Sequence, residues 1–197
     1  AVETEPVQRR ALIVELCIVG ALSFGFSALR ALLWLIDAEL SGGIGQTTVA
    51  LNQRQAGNGA IDFLRQLLSF GDLIAVGALA GYLLWRSGLR LDRLGLGRPR
   101  YRDVPPGLAL AALIGLPGLG LVALCRALGL NASLQLSQND GPWWELLTLC
   151  LLAVGNAVAE EVVVVAYFIV RLRQLGLGAN SALAASAVLR GGYHLYQ

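Results

Sequence analysis

Long apolar runs separated by short polar stretches divide the chain into five segments: Ala11–Ile36, Leu64–Trp85, Gly107–Leu130, Trp143–Val170 and Ser181–Tyr196. A helix that crosses roughly 30 Å of hydrocarbon needs about 20 apolar residues. The first four runs reach that length, and the fifth is cut short. The pattern predicts an all-α, polytopic transmembrane bundle of about five spans, forming a single domain over residues 1–197. Helix-start signals fall where this reading needs them: Pro105-Pro106 before the third run, Asn139-Asp140-Gly141-Pro142 before the fourth and Asn180-Ser181 before the fifth. Gly77 and Gly81 form a GxxxG packing motif in the second run. Pro117, beside Gly115, Gly118 and Gly120, is expected to kink the third run or to mark its closest helix contact.

Composition strengthens the membrane reading. The chain is 56% hydrophobic and 14% charged, with a mean hydropathy of +0.63, and a soluble domain needs far more charge to cover its surface. The net charge of +2 gives nucleic-acid binding no support, because the arginine cluster has a simpler explanation in membrane topology. Cys17, Cys125 and Cys150 lie inside apolar runs and read as small packing residues, not as a disulfide framework or a zinc knuckle. Arg9-Arg10 ahead of an apolar run resembles a signal peptide, but Ala11–Ile36 is too long for one and reads as a retained span.

Charge in the loops sets the expected orientation. Arg86, Arg90, Arg93, Arg98, Arg100 and Arg102 lie between the second and third spans, Arg171 and Arg173 between the fourth and fifth, and Arg9 and Arg10 at the N-terminus. The other two loops hold Asp37, Glu39, Arg54, Asp62 and Asp140. The positive-inside rule places the N-terminus and the arginine-rich loops in the cytoplasm, with Trp143-Trp144 in the outer aromatic belt.

Ionisable groups at membrane depth are costly and therefore candidates for function. Glu15, Arg30, Arg126 and Glu145 lie near span ends, where long side chains reach water. Asp72 is deeper and divides evenly between a structural and a functional role. Glu160 and Glu161 sit roughly 15 Å in from Arg171 at 1.5 Å per residue, where two neighbouring carboxylates cannot both stay ionised without a cation or a shared proton. His194 lies at a similar depth on the fifth span, with Arg190 four residues earlier on the same face. Together they offer a general base, a guanidinium clamp and an imidazole. An ion-pair network joining two helices, or a proton or ion relay, would use the same groups.

Glu160-Glu161, a helix end at Arg171, a short loop and then Arg190-Gly191-Gly192-Tyr193-His194 resemble the CPBP (Abi) family, over the last forty or so residues. Leu94-Gly95-Leu96-Gly97-Arg98 adds a weaker likeness. That family includes type II CAAX-prenyl endopeptidases and bacterial bacteriocin-processing or immunity proteins. The resemblance implies a multi-pass protein of the bacterial cell membrane that is a glutamate-dependent metalloendopeptidase. Its substrate would be a membrane peptide or protein. On that pattern Glu160 activates water, Glu161 is its companion, and His194 with Glu160 would hold a divalent metal such as zinc or support the oxyanion. The sequence departs from the pattern at Val165, where the motif has arginine, and at Arg190, where it has phenylalanine. Arg190 is therefore expected to reach Glu161 and restore the charge balance. The family's third motif, His-xxx-Asn or His-xxx-Asp, has no counterpart before Gln197, and a fragment ending in mid-span is the expectation.

No GxSxG or HExxH occurs, and Asp72 is the only aspartate deep in a span, which leaves no aspartyl dyad. The leading expectation is an endopeptidase. The alternatives are a catalytically silent relative, acting in bacteriocin immunity or as a membrane scaffold, and a small transporter. A transporter should show internal repeat symmetry, and the sequence is expected to have none.

Overall fold

The computed structural model describes residues 2–3, 5–43, 48–50, 54–95, 97, 100–129, 133–135 and 144–194. Helices dominate: α1 (Pro6–Leu40), α2 (Gly59–Arg86), α3 (Val104–Ala127), α4 (Trp144–Gln174) and α5 (Ala179–Tyr193). The first, second and fourth of these, and α3 taken with the turn before it, are long and apolar enough to cross a bilayer, which is the build of a membrane protein. The described part of α5 is shorter. The turn at Asn139–Pro142, Trp143 and the last residues of the fifth expected span, Leu195 and Tyr196, lie outside the described residues.

Local chemistry accounts for several helix ends. The Asn58 side chain accepts hydrogen bonds from the backbone N–H groups of Ala60 and Ile61 at 3.0 and 3.3 Å, satisfying two of the free donors at the start of α2. Pro105 and Pro106 occupy the first turn of α3, where the missing N–H costs nothing. Asp62, fully buried, accepts from the backbone of Ala56 and the Gln66 amide, tying the α1–α2 loop to α2.

The central contact is between α2 and α4, which run in parallel. Gly59 faces Trp144, Gly155 faces Phe70 and Leu73, Gly77 faces Ala159, and Gly81 faces Val162, so contacts advance in the same direction along both helices. A Cβ on Gly77 would stand 3.6 Å from the Ala159 Cα, so the GxxxG motif does serve close backbone approach. Strands β1 (Thr48–Ala50) and β2 (Ser133–Gln135) also pair in parallel, Thr48 with Ser133 and Ala50 with Gln135. This ladder joins the two arginine-poor loops at one end of the bundle. At the other end the Glu3 N–H donates to the Gln174 carbonyl at 2.8 Å. Buried Val19, Phe24, Ala80, Leu84, Ala159, Val163, Val164, Tyr167 and Tyr193 form one core among α1, α2, α4 and α5.

Helix α3 differs from expectation. None of its residues is buried, and a Cβ on Gly115, Gly118 or Gly120 would meet nothing within 4 Å. The small residues around Pro117 mark no helix contact among the described residues. The helix runs on through Pro117.

An internal repeat is also present. Arg90-Leu91-Asp92-Arg93-Leu94-Gly95-Leu96-Gly97 and Arg171-Leu172-Arg173-Gln174-Leu175-Gly176-Leu177-Gly178 share the pattern Arg-Leu-x-x-Leu-Gly-Leu-Gly. The equivalent glycines Gly95 and Gly176 both take positive φ, 80° and 100°, a conformation open to glycine at little cost. The first copy follows a strand and α2, the second follows a strand and begins in the last turn of α4, and each precedes another helix, so the order strand, helix, motif, helix occurs twice. The expectation of no repeat is corrected on this point.

Candidate functional site

The site is built where α5 meets a widened stretch of α4. From Glu160 to Tyr167 the helix adopts π geometry, a form that is rare and often found at functional sites. Four consecutive valines, Val162 to Val165, fill this stretch, and β-branched side chains crowd an ordinary helical turn. The wider turn is secured from α5: the Ser186 hydroxyl donates to the Val164 carbonyl at 2.7 Å, in a buried setting. Ser186, Arg190 and His194 are spaced by four residues and share one face of α5. Fixing the first aims the other two.

Both are aimed at Glu160. Arg190 Nη2 lies 2.7 Å from Glu160 Oε2, and His194 Nε2 lies 3.3 Å from Glu160 Oε1. The glutamate side chain is 9% exposed, whereas Arg190 and His194 are 51% and 38% exposed. The carboxylate thus sits at the closed end of a cluster whose cationic members open outward. Beneath His194, the Tyr193 ring is buried and stacks on Phe24 with centroids 4.7 Å apart and an interplanar angle of 24°. Phe24 comes from a second π stretch, Ala21–Gly25 of α1.

Of the four residues singled out from the sequence, three come together. Glu161 does not: it is exposed and makes no ion pair or hydrogen bond among the described residues. The expectation that Arg190 reaches Glu161 is therefore corrected, since the guanidinium pairs with Glu160. A π stretch turns less per residue than an α-helix, so faces assigned at 100° per residue drift along it. Val165, where the family motif has arginine, is half-buried.

A second polar cluster went unread. Glu15, expected to reach water from a span end, accepts from Arg171 Nε at 2.9 Å and from the Tyr167 hydroxyl at 2.8 Å. Arg171 is only 2% exposed. It also donates to the Leu83 carbonyl at 3.1 Å and the Gln174 side chain at 2.9 Å. One guanidinium thus ties together α1, α2 and α4. The available signal was Glu15 itself, an acid on the first span with no local partner. Glu145 pairs with Arg54 at 2.9 Å at the arginine-poor end. Arg30 and Asp72 are exposed, Asp72 without an ion pair or hydrogen bond among the described residues.

The donor set argues against a zinc site formed by these residues alone. Tetrahedral zinc takes three or four protein ligands, and among the described residues Glu160 and His194 are the only two metal-ligating side chains in the cluster. A guanidinium already neutralises the carboxylate on its Oε2 side, where a cation would be repelled. No group of three or more His, Cys, Asp or Glu side chains suited to a metal occurs among the described residues.

No protein-family model, curated protein or solved structure matches the chain.

Proposed function

We propose that the chain is a five-span protein of the bacterial cell membrane, with its N-terminus in the cytoplasm. In this reading it is an intramembrane, glutamate-dependent endopeptidase of the CPBP kind. The observation that supports this is the carboxylate of Glu160, buried within a span and held between Arg190 and His194 at 2.7 and 3.3 Å. A buried acid with a fixed cationic partner is suited to proton transfer. Glu160 takes a proton from water as the water oxygen attacks the carbonyl carbon of a peptide bond. The C–N bond then breaks as the same proton passes to the departing nitrogen, leaving a carboxylic acid, which keeps the water's second proton, and an amine. Arg190 balances the carboxylate's charge, and His194, on the open side, donates to the oxygen that becomes negative. The substrate is a peptide segment lying in the bilayer, because the cluster lies roughly 20 Å from the Gln174 end of α4 at 1.5 Å per residue.

The test uses the full chain in lipid nanodiscs with a mixture of hydrophobic peptides in water enriched in 18O. The wild type should generate new C-termini carrying the heavy isotope. Glu160→Gln should lower the cleavage rate at least about 100-fold while the melting temperature moves by only a few degrees. Cleavage that persists in Glu160→Gln removes the reading.

One observation favours a second reading, a catalytically silent relative that acts in bacteriocin immunity or as a membrane scaffold. Both oxygens of Glu160 already have cationic or imidazole neighbours, as in an ion pair that locks two helices. In that case the wild type cleaves nothing and Glu160→Gln acts on melting alone.

A further inference from the structure

Tyr193 is 5% exposed, and its hydroxyl has no hydrogen-bond partner among the described residues. A tyrosine hydroxyl buried in this way normally finds one, because the group gives up its hydration without recompense. Nor can it readily swing to a partner elsewhere, since stacking on Phe24 fixes the plane of the ring. Tyr193 follows Arg190 by three residues on α5 and immediately precedes His194, whose ring centroid is 4.6 Å from its own. Glu160 and Arg190 are the charges that act on the hydroxyl, and the Glu160 carboxylate is also its nearest competing acceptor, close by but short of hydrogen-bond geometry. The unsatisfied donor therefore belongs to the Glu160 cluster and not to the hydrocarbon around it.

We infer that the Tyr193 hydroxyl is a second donor, beside His194, to the carbonyl oxygen of the bound peptide. The inference rests on the endopeptidase reading and adds to it a residue that touches substrate. The hydroxyl is closed off in the free protein and must be uncovered as the peptide enters, but a donor whose ring is already fixed where negative charge develops needs no reorganisation in the chemical step itself. A rigid phenol supported by an aromatic stack meets that requirement better than the half-exposed His194. The bond that forms is a hydrogen bond from the phenol O–H to the carbonyl oxygen. It strengthens as water adds to the carbon and relaxes when the C–N bond breaks, and the phenol keeps its proton throughout.

Tyr193→Phe keeps the ring and its stack and removes only the hydroxyl. It should be compared with the wild type and Glu160→Gln, each as the full chain in phosphatidylethanolamine–phosphatidylglycerol nanodiscs, on the peptide that the wild type cleaves fastest. Tyr193→Phe should lose about 100-fold in kcat, with KM little changed and a melting temperature equal to or above that of the wild type. A melting temperature clearly below the wild type would show that the hydroxyl has a structural partner, and would overturn the inference. Full kcat in Tyr193→Phe with none in Glu160→Gln would overturn the inference and leave the endopeptidase reading standing. A wild type that cleaves no peptide would remove both.

Discussion

At the scale of single residues, the site was legible to the extent that charge is rare in apolar runs. Glu160, Arg190 and His194 stood out because an ionised group at membrane depth needs a reason, and the three do meet. Which glutamate takes the arginine was not legible, because the π stretch that begins at Glu160 changes the angular step on which any helical wheel depends. The Glu15–Arg171 bond was hidden for another reason. Its partners lie 156 positions apart, and only tertiary packing brings them together. The pairing at Glu160 makes a sharp prediction for double-mutant cycles. Glu160→Gln with Arg190→Gln should show a coupling of about 1 kcal/mol, kept small because the guanidinium is half in the open. Glu161→Gln with Arg190→Gln should be additive in chemical denaturation. Coupling in the second pair but not the first would refute the arrangement.

At the scale of helices, the glycine motif in α2 and the apolar spans were readable from spacing alone, and α4 lies against the glycines as the motif requires. The same logic misread Pro117 and its glycines. Small residues permit close approach but do not supply a neighbour, and α3 has no buried residue. The α2–α4 contact can be tested by size. Gly77→Ala puts a Cβ at ordinary contact distance from Ala159 and should be tolerated. Gly77→Leu should cost about 1–3 kcal/mol by forcing the two backbones apart. Equal melting temperatures for Gly77→Leu and the wild type would mean that the helices do not meet there.

At the scale of the whole molecule, the loop arginines suggested which ends lie together, and the β1–β2 ladder joins the two arginine-poor loops as that scheme requires. Which end faces the cytoplasm is a matter for labelling. In a cysteine-free background, Ser41→Cys should react with an impermeant maleimide on intact cells, and Ser87→Cys only after permeabilisation. The reverse pattern would invert the proposed topology. The repeat escaped the apolar pattern because its two copies share a turn motif and an order of elements, while their helices differ in sequence. A repeat is the feature a transporter should show, but the charged cluster is not repeated with it. Carrying the 81-position offset between Arg90 and Arg171 back from Glu160 gives Leu79, so the charged cluster belongs to one copy only and has no counterpart across the pair.

That same offset sets a schedule for synthesis. Helix α2 is made long before α4, the helix against which its glycines pack. At about 5–20 residues per second, the ribosome needs roughly 4 to 16 seconds to supply the second helix. For that interval Gly77 and Gly81 must face lipid or an insertion factor. Assembly of the central helix pair is thus delayed by translation, and the Glu160 cluster, made from the later copy, can form only towards its end.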